Sequence, residues 1–124
     1  MVTIKNQIAI PTLLPSEALK TGLAGLVGNT PLLPLHRIGA EVWSQVQVHA
    51  KAEWFNPGGS VKDRPALNII RTAIANGDLH PGKHLLDSTS GNMGISYATF
   101  GAALGIPVTL TIPENASAER ISPS

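Results

Sequence analysis

Two stretches of this sequence hold residues equipped for chemistry: a lysine beside paired glycines, and a run of hydroxyls ahead of a helix. The lysine lies in "NPGGSVKDRP", Asn56 to Pro65, where Lys62 marks the junction of a glycine loop and a helical first turn. A helix N-terminus carries partial positive charge, so an ammonium there is misplaced by about 0.3–1 kcal/mol. Either Lys62 is incidental or its nitrogen is bound to something. Ser60 and Asp63 also fit a capping box, with Asp63 reaching back to the cap amide. That box accounts for Ser60 and Asp63, but not for Lys62. Nor does it account for Gly58 and Gly59, which cost chain entropy unless the loop needs unusual dihedrals or close approach.

The second stretch is "STSGNMG", Ser88 to Gly94. Thr89 and Ser90 precede a helix N-terminus with free backbone N–H groups, and Gly91 lets ligand atoms reach the backbone. Amides, dipole and hydroxyls together would attract a carboxylate or phosphate. An ordinary N-cap is the alternative, although one hydroxyl would serve for that.

The elements that position these groups follow from periodicity. Residues 1–15 read as an arm, and Ser16 can cap a short helix through Leu26, ended by the turn at Gly28 and Asn29. Thr30 to Leu35 is extended. "QVQVHAKAE", Gln45 to Glu53, alternates polar and apolar side chains as a strand does. A helix is expected over Val61 to Asn76, with Ala66, Ile69, Ile70, Ala73 and Ile74 on one stripe at about 3.6-residue spacing and Gly77 as its stop. "HLLDS" (84–88) and "VTLTI" (108–112) read as strands on either side of a second helix, "GNMGISYATFGAAL". The order β-α-β-α-β predicts an α/β fold with a parallel sheet, flanking helices and ligands beyond the carboxyl ends of the strands. Both "NPGGSVKD" and "STSGNMG" occupy such strand-to-helix loops.

Several readings are excluded. "GDLHPGKH", Gly77 to His84, approaches a phosphate-binding loop, but His84 replaces its Ser or Thr, Pro81 removes an amide, and it leads from helix to strand. Histidines 36, 49, 80 and 84 lack metal-ligand spacing and read as surface or turn residues, so no metal is expected. Trp43 and Trp54 read as packing residues. The sequence has no cysteine, which rules out disulfides and thiolate nucleophiles and is compatible with a reducing cytosol. A net charge of +1 shows no pull toward nucleic acid or anionic membrane. No apolar run approaches the roughly 20 residues of a membrane span. No signal peptide is evident, so the "NAS" sequon at Asn115 reads as chance.

Taken together, "GNTPLLPL", "AKAEWFNPGGSVKDRPALNII", "LLDSTSGNMGISYA" and "IPVTLTIPENAS" resemble the cysteine synthase group of fold-type II pyridoxal-phosphate enzymes, with cystathionine β-synthase a near relative. The similarity runs from Gly22 to Ala118. It implies that Lys62 is the Schiff-base lysine, and so the catalytic residue, with pyridoxal 5'-phosphate as the cofactor. It implies that Asn92 hydrogen-bonds the cofactor's phenolic oxygen. Thr89, Ser90 and Gly91 would grip the substrate carboxylate, with the Met93 amide beside them. Met93 stands where the family usually has threonine, so a hydroxyl contact is lost. The implied reaction is β-replacement, in which an activated serine such as O-acetylserine exchanges its leaving group for sulfide to give cysteine. The same resemblance implies a cytoplasmic enzyme acting on a small amino acid, with a homodimer implied for full-length family members and left open for this chain.

Alternatives within the family are a cystathionine β-synthase-like or a serine/threonine dehydratase-like enzyme. Outside it stands a non-catalytic fragment. Family members are longer, and their phosphate-binding glycine loop and pyridine-nitrogen partner lie further along. The tail "AERISPS" leaves the family pattern, and Pro123 would break a continuing helix, so the chain reads as the N-terminal part of such an enzyme, cut short or out of frame. The expected division is residues 1–55, an arm and strands pairing with an absent large lobe, and residues 56–124, a partial small lobe carrying the lysine and "TSGN".

Overall fold

A computed structural model describes residues 1–5, 16–40, 45–89 and 91–115. Its elements run β1 (Val2–Lys5), a 3-10 turn (Ser16–Leu19), α1 (Gly22–Gly25), β2 (Leu32–Pro34), α2 (His36–Gly39), β3 (His49–Lys51), a second 3-10 turn (Glu53–Phe55), α3 (Asp63–Ala75), β4 (Leu85–Ser88), α4 (Asn92–Leu104) and β5 (Val108–Ile112).

The α/β class is as expected, and β4 and β5 form the expected parallel pair, with Leu85 opposite Val108 and Ser88 opposite Thr111. α4 makes the crossover between them. Three expectations change. Part of the supposed arm is a strand: β1 pairs antiparallel with β5, so the sheet order is β1-β5-β4. Its alternating half-buried and exposed residues show why it pairs, since Val2 and Ile4 share one face. The Gln45–Glu53 strand shortens to His49–Lys51 and leaves the main sheet, pairing antiparallel with β2 in a two-stranded sheet. The single helix expected from Ser16 to Leu26 is a 3-10 turn and a one-turn helix, broken at Gly22, whose φ is +56°.

The core lies between the two long helices and β5. Leu67 and Ile70 of α3 meet Tyr97, Phe100 and Leu104 of α4 and Val108 and Leu110 of β5, with Leu19 and Ala24 closing one end. Phe100 is wholly buried, and truncating such a ring to Ala costs about 3–5 kcal/mol. The buried line of α3 is Asp63, Ala66, Leu67 and Ile70. Ile69, expected on that stripe, is 45% exposed because it stands about a third of a turn away from the line. β5 buries alternate residues, Val108, Leu110 and Ile112, under α4. Gly94 permits the close approach of α4, since a Cβ there would lie 2.7 Å from Thr89 Cγ2 and 3.4 Å from Leu110 Cδ1. Both long helices end on glycine in the left-handed region, Gly77 (φ +79°) and Gly105 (φ +68°).

Candidate functional site

Lys62 is the residue that leads into α3, with helical backbone angles of −67° and −17°. Its amide donates to Ser60 Oγ at 3.2 Å. Its side chain is exposed, and its amine has no hydrogen-bond partner among the described residues. Around it the loop is closed by its own backbone. Gly59 N donates to Asn56 O (2.8 Å), Asp63 N to Ser60 O (3.3 Å) and Arg64 N to Val61 O (3.2 Å).

The capping box does not form. Asp63 turns inward, and its Oδ2 accepts the amide of Gly58, five residues back, rather than that of Ser60. Its Oδ1 accepts the Ser96 hydroxyl at 2.6 Å, and both side chains are fully buried. The physical reason is space. A carboxylate on the inner face of α3 meets a second helix there, and the two donors satisfy it where solvent cannot. The paired glycines now have separate explanations. Gly59 adopts φ +84°, while a Cβ on Gly58 would lie 2.2 Å from Asp63 Oδ1.

α4 starts at Asn92, with Gly91 as an extended N-cap that supplies no side-chain hydrogen bond. The amides of Asn92 and Met93 meet no acceptor among the described residues. Among the described residues nothing lies within 4 Å of where a Gly91 Cβ would stand. Thr89 N extends the sheet ladder to Thr111 O at 3.1 Å, and Thr89 Oγ1 accepts Gly91 N at 3.3 Å, a local turn that still leaves its hydroxyl proton to donate. Asn92 is exposed and Met93 half-buried against the core. Ser90 lies outside the described residues. Ser96 is one helical turn, about 6 Å, beyond Asn92. The Asp63–Ser96 bond therefore holds the start of α3, with Lys62, beside the start of α4, with Thr89, Gly91 and Asn92. An uncapped helix start of this kind takes an anion, and an accessible amine beside it suits covalent capture of an aldehyde.

Four residues overlooked in the sequence complete the loop's support. Glu53, Arg64, Asn56 and Thr30 form one hydrogen-bonded group in which Arg64 holds Glu53 through Nε to Oε2 at 2.8 Å and through NH2 to Oε1 at 2.9 Å. These bonds, and then that from Thr30, hold the Glu53 carboxyl down to about 2 from its usual 4.5. Opposite charges flanking a glycine loop were the available signal. Trp54, expected to pack, is 58% exposed, with its ring centroid 5.9 Å from that of Phe55. Trp43 lies outside the described residues. The four histidines are all exposed, and among the described residues no group of three or more His, Cys, Asp or Glu could hold a metal. No helix among the described residues is long and apolar enough to cross a membrane. A cavity of about 310 Å³ lies at the β2–β3 unit, lined by residues such as Leu35, His36, Val46 and His49. It includes neither Lys62 nor the α4 start, and it presents no group suited to their chemistry.

Comparison with known proteins yields four findings. The sequence profile of a family described as pyridoxal-phosphate dependent enzyme matches residues 23–123. A cysteine synthase of Aquifex aeolicus is 47% identical over 107 residues, covering 86% of this chain and 33% of that protein. A cystathionine beta-synthase of Saccharomyces cerevisiae is 44% identical over 98 residues, covering 78% of this chain and 19% of the other. The crystal structure of a cysteine synthase from Entamoeba histolytica superposes with a TM-score of 0.75 at 37% identity, over 94% of this chain and 34% of that one. The chain thus spans about a third or less of the length of these relatives.

Proposed function

Because the chain belongs to the family of pyridoxal-phosphate dependent enzymes, we propose that it carries the lysine and the carboxylate loop of a β-replacement enzyme making cysteine from an activated serine and sulfide. One observation supports this reading: the Asp63–Ser96 bond ties the start of α3, where Lys62 is exposed and its amine has no hydrogen-bond partner among the described residues, to the first turns of α4, whose N-cap Gly91 makes no side-chain hydrogen bond. The printed activities of the cysteine synthase relatives support it.

The residues present fit the cofactor. Lys62 Nζ would hold it covalently, and Asn92 would donate a hydrogen bond to its phenolic oxygen. When bound, pyridoxal phosphate supplies an electron sink for charge developing at the substrate's Cα. The protein supplies the rest. Thr89, Ser90 and Gly91 would orient the substrate through its carboxylate, helped by the Asn92 and Met93 amides and the α4 dipole. Lys62 Nζ, once free, would take the proton from Cα. Met93 adds only its amide and an apolar chain, which favours a compact leaving group over one needing a hydroxyl contact.

A cystathionine β-synthase-like or dehydratase-like activity would use the same residues and differ in the second substrate. A separate reading, that these 124 residues alone are non-catalytic, is favoured by the 33% span of the cysteine synthase relative. The reading extends to a homodimer working in the cytoplasm.

The test is covalent mapping. The chain is incubated with pyridoxal phosphate, reduced with borohydride and digested. The expected adduct is on the peptide containing Lys62. An adduct mainly at Lys51 or Lys83 sinks the assignment.

A further inference from the structure

Three separate segments meet at one carboxylate. Glu53 Oε1 accepts from Thr30 Oγ1 at 2.7 Å and from Arg64 NH2 at 2.9 Å. Its Oε2 accepts from Asn56 Nδ2 and from Arg64 Nε, both at 2.8 Å. Asn56 also donates to Glu53 O and accepts the Gly28 amide, each at 2.8 Å. Arg64 NH2 reaches on to Thr30 Oγ1 at 3.3 Å, and the Lys51 amine donates to Thr30 O. Thr30 and Asn56 are 6% and 3% exposed. An ordinary surface ion pair contributes little, but this one is bidentate and shares its acceptor with two buried donors.

We infer that Glu53 and Arg64 are positioning residues for Lys62, an inference that rests on the cofactor-lysine reading above. The Lys62 side chain is exposed and its amine has no hydrogen-bond partner among the described residues, so its placement follows the backbone of 56–64. The clamp grips both ends of that backbone. Asn56 is at one end, bonded to Glu53 and to the Gly28 turn. Arg64 is at the other, two residues after Lys62. Releasing either end loosens the backbone that aims the amine, while the Asp63–Ser96 bond still ties α3 to α4 and the apolar core stays intact, because none of the four clamp residues belongs to either. Arginine is required for this, since its planar fork meets both carboxylate oxygens and a lysine ammonium cannot.

The test uses Arg64→Lys, Glu53→Gln and the double variant, each treated with pyridoxal phosphate and borohydride. The adduct is mapped over the lysines at 5, 20, 51, 62 and 83. In each single variant the Lys62 share should fall about fivefold or more relative to Lys20 and Lys83, and no further in the double, as for two residues acting as one unit. Circular dichroism and the melting temperature should hold. An undiminished Lys62 share in folded Arg64→Lys overturns the inference. If that variant unfolds, Thr30→Val removes a single donor from Glu53 and is read the same way. A parent chain with no preference for Lys62 overturns the cofactor-lysine reading instead. Amide exchange of residues 58–62 then decides positioning by itself: faster exchange in Arg64→Lys supports it, and an unchanged rate overturns it.

Discussion

Asp63 Oδ1 accepts the hydroxyl of Ser96 at 2.6 Å, and water reaches neither side chain. The bond ties the first turn of α3 to the second turn of α4, so two loops far apart in sequence share one end of the molecule. Removing one partner leaves a buried polar group unsatisfied, which costs about 1–3 kcal/mol and more where the group is charged. Ser96→Ala should therefore lower the urea midpoint at an unchanged slope. It should also weaken the response of Lys62 to pyridoxal phosphate. A variant as stable as the parent would show that the Gly58 amide alone satisfies Asp63.

Gly58→Ala should be destabilising although its site is a loop. The added methyl would sit 2.2 Å from Asp63 Oδ1, so either the loop or the carboxylate must move. The expected cost is about 1–3 kcal/mol, in the range of overpacking. Gly59→Ala should cost about as much for a different reason, its positive φ. Combining either with Asp63→Ala separates them in denaturant titrations, because only the Gly58 clash is with the Asp63 carboxyl that Ala removes.

Lys62→Gln should stabilise the fold while removing the adduct. The cation opposes the positive end of α3 and has no partner among the described residues, so its loss should gain about 0.3–1 kcal/mol at low salt. A thermal melt checks the first half and peptide mapping the second. A destabilised variant would falsify the view that Lys62 is present for chemistry rather than for structure.

The Glu53 carboxyl is held down to about 2, first by Arg64 and then by Thr30. A depressed folded-state value means the carboxylate stabilises the fold fully above its unfolded value. That contribution is lost as pH falls from about 4.5 through about 2. Glu53→Gln should therefore flatten the acid limb of the stability curve in that window and leave its shape near neutrality unchanged. Urea midpoints taken across the window provide the check, and parallel curves for parent and variant would contradict it.

The two long helices and β4 and β5 were legible because each carries a local signal: an apolar stripe, a glycine stop, an alternating strand. Lys62 and the run ahead of α4 stand out as candidates for the same reason, since glycines and hydroxyls at a helix start are conspicuous in any context. What escaped were pairings made over distance. Asp63 looked like a cap because Ser60 was the nearest partner in sequence, whereas Ser96, 33 residues on, was the partner in space. Arg64 and Glu53, 11 apart, resembled ordinary surface charges until the turn at 53–56 brought them together. Trp54 reads as a packing residue in sequence, yet in the turn at 53–55 it is 58% exposed.

β1 gives the molecule a clock. Val2 pairs with Ile112, its partner 110 residues away, and the central strand β5 is shared with β4 on its other side. At synthesis rates of about 5–20 residues per second, the first strand leaves the ribosome and waits roughly 5–20 s before β5 exists to receive it. During that interval β4, α3 and α4 can already be made. β1 can therefore pair only once β5, synthesised later, is available, and the later strand sets when the earlier one finds its place.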